Sequence, residues 1–285
     1  MRIASLSLVS MLAAAAPAAP ALADGMASYG KIKTIQPEIR RCVLSANVAL
    51  ASEYVFRGFS QTSEGPAVQG GFDLSCGVFY VGVWASSLDW GPAFRPDGSV
   101  ATWASMELDT YAGFKGKLGR ISWDLGVIYY AYPNSTRNTF FFANGDFDRF
   151  RNDYVEVKAG ASADLWKGGT LGVTAFYSPD YQYETGDVWT FEAGFVQAFP
   201  TYWGFTPTFS ALIGYQTGNN FAYAARITGG DDDYTYWNAG VSFGFLEKWS
   251  LDLRYWDTDL GSNGFCGGAY FQCDQRFVAT LKFTY

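Results

Sequence analysis

The chain has 285 residues, of which 49% are hydrophobic, 19% aromatic and 16% charged, and its 27 acidic residues outnumber its 20 basic ones. The apolar content excludes a disordered chain, and the acidic balance with scattered Lys and Arg argues against a nucleic-acid partner. Many aromatic residues together with 32 glycines are typical of a membrane β-barrel.

The first 23 residues have the pattern of a secretory signal peptide. Arg2 precedes an uncharged run rich in Ala and Leu, and Ala21-Leu22-Ala23 forms an A-x-A cleavage site. Residues 24–42 are polar and lack periodicity, which predicts a periplasmic N-terminal segment; a small plug in the pore mouth is the alternative. The pattern predicts export, with residues 43–285 forming the folded domain.

Beyond residue 43 the hydrophobic pattern has a period of two. In residues 155–165 every odd position is apolar and every even position is polar or glycine, a run long enough to cross a bilayer as a tilted strand. A helix would scatter these polar residues over several faces. Counting such segments predicts about twelve strands, near residues 44–57, 66–75, 78–88, 103–115, 121–132, 153–165, 169–178, 188–199, 204–215, 234–245, 249–258 and 276–285.

The predicted connections are sorted by length. Those after the even-numbered strands are short, whereas four of those after odd-numbered strands (89–102, 133–152, 216–233 and 259–275) are long. Short turns at one end and longer loops at the other are the pattern of bacterial outer-membrane proteins. We therefore predict an all-β fold, a closed antiparallel transmembrane β-barrel with short periplasmic turns and longer extracellular loops, in the outer membrane of a Gram-negative bacterium.

The last strand carries a second signal for the same location. Phe277, Ala279, Leu281, Phe283 and Tyr285 occupy one face, and Tyr285 is the final residue. A terminal aromatic on an alternating strand is typical of barrels that the outer-membrane assembly machinery inserts. That machinery and the outer-membrane lipid are the predicted partners.

If the apolar register faces lipid, the polar register faces the lumen. This parity predicts a lumen in which acids outnumber bases, with two interpretations: a polar, mildly cation-preferring path, or a structural charge network that conducts nothing. The candidate lumen or constriction residues are Glu53, Arg57, Gln69, Asp73, Glu107, Asp109, Lys115, Asp124, Glu156, Lys158, Glu192, Asp252 and Arg254. Inward aromatic residues such as Trp84 and Tyr130 are interpreted mainly as space filling.

The four cysteines belong to a chain that is predicted to reach an oxidising compartment. Cys266 and Cys273 fall in the last outer loop and are predicted to form a disulfide. Cys42 and Cys76 fall at the periplasmic ends of neighbouring strands, so they are a second candidate pair that depends on register. Their spacing does not match a zinc site, and the chain has no histidine.

The absence of histidine also argues against the common hydrolase and acyltransferase mechanisms, which use it as general base. No nucleophile elbow, zincin motif or phosphate loop occurs in the sequence. We therefore predict no enzymatic activity, no cofactor and no metal site.

Several segments together resemble the TorF-like family of proteobacterial outer-membrane porins. They are 52–61 (SEYVFRGFSQ), 66–73 (PAVQGGFD), 82–86 (GVWAS), 129–133 (YYAYP), 177–181 (YSPDY) and 257–260 (DTDL). The resemblance spans the chain from about residue 44 to its end. It implies an outer-membrane barrel and a porin role.

The first of these segments predicts a local site. Arg57, Gln69 and Asp73 are expected on the inward face of one hairpin, near Gln61, where they would form a charged constriction. The alternative is a cross-strand Arg57–Asp73 ion pair that only stabilises the hairpin. The predicted function is a narrow passive channel for small polar solutes or ions; the alternative is a non-conducting barrel whose outer loops bind a partner.

Overall fold

The computed structural model describes residues 42–94, 100–102, 104–133, 135, 138–141, 147–219, 221–261 and 273–285. The predicted signal peptide and residues 24–41 of the predicted N-terminal segment lie outside these ranges. Among the described residues, no helix is both long and apolar enough to cross a membrane.

Twelve antiparallel strands form one closed barrel, as the sequence predicts. Each strand pairs with its neighbours along the chain, and the first pairs with the last, with Asn47 opposite Thr284. We number the barrel strands β1 to β12 in chain order: Val43–Ala51, Ala67–Cys76, Phe79–Ser87, Met106–Leu118, Ile121–Ala131, Tyr154–Trp166, Gly169–Ser178, Val188–Ala198, Thr206–Gly218, Asp233–Phe245, Trp249–Thr258 and Arg276–Thr284.

The alternation of the sequence becomes the two faces of the barrel wall. In β6, Glu156 is 1% exposed whereas the adjacent Val157 is 51% exposed; in β11, Arg254 is buried and Leu253 is exposed. Successive side chains of a strand point to opposite faces, so polar groups fill the interior and aliphatic groups cover the outside. Such an apolar outer surface is solvated by lipid, as in outer-membrane barrels.

The two ends of the barrel differ, as predicted. Turns 77–78, 119–120 and 167–168 contain two residues each, and turns 199–205 and 246–248 lie at the same end. The last residue also lies there, since Tyr285 exchanges backbone hydrogen bonds with Ala46. We call this the periplasmic end and the opposite end, with its longer loops, the outer end.

The outer loops contain short elements that the sequence analysis does not predict. Two small hairpins pair Pro92–Phe94 with Val100–Thr102 and Asn138–Phe141 with Phe147–Phe150. A helical turn, Phe221–Tyr223, leads into a π-helical turn, Ala224–Thr228.

The prediction that the first strand continues to residue 57 is wrong. β1 ends at Ala51, and the next residues form a separate two-stranded hairpin, Val55–Phe56 with Phe59–Ser60. Both of its strands are buried. The reversal comes at Arg57 and Gly58, which have φ of 48° and 87°. Positive φ at both central residues is the geometry of the tight hairpin turn, and glycine adopts it without a Cβ penalty.

Candidate functional site

The candidate site is the outer half of the barrel interior, and its central feature is the hairpin just described. Residues 54–61, which we call the inward hairpin, leave the outer end of β1 and fold back into the lumen. Its base closes by a hydrogen bond from the Gln61 amide to the Tyr54 carbonyl, 2.7 Å long. Every residue of the inward hairpin is buried.

Arg57 stands at the tip and pairs with the far wall of the barrel. Its Nη1 and Nη2 atoms donate to Oε1 and Oε2 of Glu156 in β6, each at 2.8 Å. Both side chains are 1% exposed. The guanidinium also lies 4.9 Å from the ring centre of Phe56 and 5.0 Å from that of Phe176 in β7. The tip is therefore held by a two-pronged, fully desolvated ion pair between two aromatic rings.

The rest of the inward hairpin is bonded to other parts of the interior. The Tyr234 hydroxyl donates to the Arg57 carbonyl at 3.0 Å. The Trp90 indole donates to the Gln61 side chain at 2.9 Å. Tyr54 donates from its hydroxyl to Glu107 at 3.1 Å. The hairpin is thus attached at its tip and at both residues of its base.

Aromatic side chains fill the space around the base of the inward hairpin. This outer aromatic cluster comprises Tyr54, Phe56, Trp84, Trp90, Tyr130, Tyr132, Tyr154, Tyr181, Tyr183 and Tyr223. Tyr130 and Tyr154 stack at 4.3 Å between ring centres. Burial raises the pKa of Tyr181, in the loop after β7, above its ordinary value, so its phenol stays neutral.

The lumen of the barrel is blocked at the level of the hairpin tip. Around the wall, Glu156 is 1% exposed, Thr190 and Gln216 are 0%, and Tyr236 is 0%. A water-filled passage would wet such inward side chains. Within the part of the chain that the structure describes, the inward hairpin and the wall therefore leave no through passage at this level, and a cavity of about 30 Å³ remains between Phe56, Phe59, Gln216 and Tyr234.

Carboxylates outnumber basic groups around the inward hairpin. Glu107 and Asp109 lie in β4, and Glu192 in β8 accepts from the Tyr236 hydroxyl at 2.6 Å. One oxygen of Asp109 and one of Glu192 are buried with no hydrogen-bond partner among the described residues. Glu53 is paired with Arg276 of β12. The outer half is therefore acidic in character.

The periplasmic half carries a more balanced set of charges. Lys158 donates to Asp124 at 3.0 Å, and Tyr80 donates to the same carboxylate at 2.7 Å. The Nζ atoms of Lys115 and Lys158 lie 5.1 and 5.5 Å from the ring centre of Tyr80. The Lys158 and Asp124 side chains are 9% and 13% exposed, so water reaches this pair more than it reaches Arg57 and Glu156.

A second arginine is fixed in the lumen below the inward hairpin. Arg254 donates two hydrogen bonds of 3.0 Å to Asp252, one of 2.6 Å to Asn238 and one of 2.7 Å to Ser210. These hydrogen bonds link β9, β10 and β11. Arg254 is thus a rigid basic group of the wall.

The predicted Arg57–Asp73 contact is wrong, both as an ion pair and as part of one constriction with Gln69. Arg57 contacts Glu156 instead, because the backbone reverses at Gly58 and the Arg57 side chain therefore points away from β2. Asp73 accepts from the Tyr111 hydroxyl at 2.5 Å. Gln69 contacts Ser86 at 3.4 Å.

Some members of the site were missed by the sequence analysis. Arg276 was assigned to no face, although it shares the parity of Val278 and Lys282, which are also buried. Tyr234 and Tyr236 begin a recognisable strand, but nothing in their local pattern indicates contact with a distant hairpin.

One predicted disulfide is confirmed. Cys42 and Cys76 are bonded at the periplasmic ends of β1 and β2, where register places Val43 opposite Ser75. Cys273 is also disulfide-bonded. Its predicted partner, Cys266, lies outside the described residues.

A family model covers residues 40–285, and its description is "Bacterial protein of unknown function (Gcw_chp)". The chain belongs to the Gcw_chp family. The match spans the whole barrel and agrees in extent with the resemblance to the TorF-like porins, although the Gcw_chp description assigns no function. Among functionally curated proteins, none matches the chain.

Solved structures with a similar architecture have very different sequences. The NanC porin has a TM-score of 0.45 and 12% identity, over 85% of this chain and 98% of that chain. LpxR from Salmonella typhimurium has a TM-score of 0.44 and 11% identity, over 85% and 99%. OmpT of Vibrio cholerae has a TM-score of 0.39 and 9% identity, over 89% and 100%. At these values the matches carry no functional argument.

Proposed function

We propose that this Gcw_chp protein is a narrow, passive outer-membrane channel for small polar solutes or ions, closed at its outer half by the inward hairpin. One observation carries the proposal. The group that fills the lumen at the level of Arg57 comes from a single loop, whereas the wall behind it carries hydrogen-bonding and charged side chains such as Glu156, Glu192 and Gln216.

The size of the barrel supports this view. Barrels of about eight strands are filled by the side chains of their own strands, and those with about 16 hold an open channel. The twelve strands here leave central space, which the inward hairpin occupies. Displacing Arg57 would uncover the Glu156 carboxylate and the Tyr130 hydroxyl that donates to it, beside the Phe176 ring.

The charges behind the hairpin favour cations. Without the inward hairpin, the outer half of the lumen keeps Glu107, Asp109, Glu156 and Glu192, and rings of acidic side chains select cations. Lys115 and Arg254 lie nearer the periplasmic end. They would moderate the preference, so we propose a mild selectivity rather than an exclusive one.

The proposed location is the outer membrane of a Gram-negative bacterium. It is supported by the aliphatic outer surface and by the sorting of short turns to one end of the barrel and longer loops to the other. The signal peptide and insertion by the outer-membrane assembly machinery belong to the same proposal.

The test compares two proteins in planar bilayers under a salt gradient. One is the refolded protein without residues 1–23; the other has residues 55–60 replaced by two glycines. We expect brief channel openings from the first protein and sustained conductance steps from the second. The sign of the reversal potential should show that cations permeate more readily than anions. Arg151→Ala, at an exposed ion pair with Glu184, is the control and should behave as the unmodified protein. Silence of both folded proteins would overturn the proposal.

The second candidate function is a non-conducting barrel whose outer loops bind a partner. The outer aromatic cluster favours it, because ten aromatic side chains packed around a hairpin also make a stable core. The two candidates separate in the same experiment. A folded variant that lacks the hairpin and still passes no current would favour the second.

A further inference from the structure

We infer that the wall pocket that now holds the Arg57 side chain is a binding site for a small organic cation of the guanidinium type. Arg57 is its tethered occupant. The inference rests on the proposed channel function for the route by which a solute reaches the pocket. Glu156 and Phe176 belong to the barrel wall, whereas the Phe56 ring on the other side of the guanidinium belongs to the inward hairpin.

The wall supplies a two-pronged acceptor and an aromatic face for a guanidinium. Glu156 of β6 presents both carboxylate oxygens, and each accepts one bond of 2.8 Å. The Phe176 ring of β7 lies 5.0 Å from the guanidinium carbon. Tyr130 of β5 donates from its hydroxyl to Glu156 at 3.1 Å and so fixes the carboxylate. These three residues lie on neighbouring barrel strands whose pairing does not involve the hairpin.

This geometry selects one class of cation. A guanidinium is planar, binds a carboxylate through two parallel N–H bonds and stacks on aromatic faces. An ammonium has no such fork, and an alkali ion gains little from the aromatic ring at this distance. The pocket is therefore shaped for a planar, singly charged group with paired donors.

Charge makes the pocket depend on an occupant. Glu156 is 1% exposed, and Glu192 stands nearby with one oxygen unpaired among the described residues. Buried carboxylates without a compensating cation are strongly unfavourable. When the hairpin leaves, a soluble guanidinium would replace Arg57, so the solute and the hairpin would compete for one site.

The experiment uses Arg57→Ala, which removes the tethered cation and leaves the wall pocket intact. Its urea midpoint in lipid vesicles is measured against methylguanidinium and against methylammonium at equal ionic strength. We expect a saturable rise of the midpoint with methylguanidinium, at a concentration about tenfold lower than any rise with methylammonium. Adding Glu156→Gln should abolish the rise. In the control Arg151→Ala, which removes an exposed ion pair, neither cation should shift the urea midpoint.

If Arg57→Ala does not fold without an added cation, a second readout replaces the urea midpoint. The yield of the heat-modifiable folded form is then measured with and without methylguanidinium, and Arg57→Gln serves as a second variant. Equal effects of both cations, or a rise that survives Glu156→Gln, would overturn the site. Neither measurement involves channel current. If methylguanidinium stabilises the protein while the bilayer recordings show no current, the channel function would be rejected and the pocket retained.

Discussion

Breaking the ion pair between Arg57 and Glu156 tests whether the inward hairpin is held as we describe. Arg57→Ala removes two charge-assisted hydrogen bonds of 2.8 Å and leaves Glu156 buried without its cation. Two such bonds at about 1.5–3 kcal/mol each agree with the cost of about 3–5 kcal/mol for breaking a buried pair. We therefore expect Arg57→Ala to lower the free energy of unfolding by about 3–5 kcal/mol.

A double-mutant cycle separates the pair from general damage. Glu156→Gln removes the other charge, and the double variant should lose about 0.5–3 kcal/mol less than the sum of the two single losses. The assay is equilibrium urea unfolding in vesicles, followed by tryptophan fluorescence, since Trp84 and Trp90 lie in the outer aromatic cluster.

The matched control is Arg151→Ala, because the Arg151–Glu184 pair has the same length of 2.8 Å but is exposed. Exposed pairs contribute little to stability, so its urea midpoint should barely move. An Arg57→Ala loss no larger than that of the control, or purely additive single losses, would refute the reasoning.

Further predictions concern the wall, the disulfide and the lumen charges. Val173→Arg, on the lipid face of β7, should destabilise the barrel in vesicles by about 2–4 kcal/mol. The control Glu247→Arg, in an exposed periplasmic turn, should leave the urea midpoint nearly unchanged. Equal urea midpoints for the two variants would argue against a lipid-facing β7. Replacing Cys42 and Cys76 by serine removes a cross-link over 34 residues and should lower the free energy of unfolding by about 3–4 kcal/mol. The difference in urea midpoint from the unmodified protein, both without reductant, measures this loss. An unchanged midpoint would contradict the prediction. Glu107→Gln with Asp109→Asn, in the variant that lacks residues 55–60, should move the reversal potential toward zero; an unaltered potential would mean that these acids do not set selectivity.

Much of the fold could be predicted because each strand carries its own signal. The alternation of residues 155–165 indicates both a strand and its lipid face, and β6 has that register in the structure. The Cys42–Cys76 bond followed from the same reasoning, since both cysteines fall at one end of neighbouring strands. Local patterns of period two are sufficient for such features.

The inward hairpin could not be predicted as readily, because its residues continue the apolar pattern of β1. Val55, Phe56 and Phe59 indicate more strand, and only the Arg57-Gly58 pair hints at a tight turn. Its partner, Glu156, is 99 residues away on another wall of the barrel. A single sequence holds no record of such a contact, so the ion pair that defines the candidate site emerged only from the structure.

The central claim is that the inward hairpin closes a channel, and a reversible lock tests it most directly. A Cβ on Gly58 would lie 3.7 Å from the Thr258 Cβ, within the range for a disulfide. Because φ of 87° at Gly58 strains any Cβ there, Gly58→Ala/Thr258→Ala serves as a control with the same backbone strain. Single-channel current is recorded for Gly58→Cys/Thr258→Cys before and after reductant, with the unmodified protein under reductant as control. We predict silence in the oxidised state and openings after reduction. Equal currents in the two states, with the cross-link verified, would contradict the account.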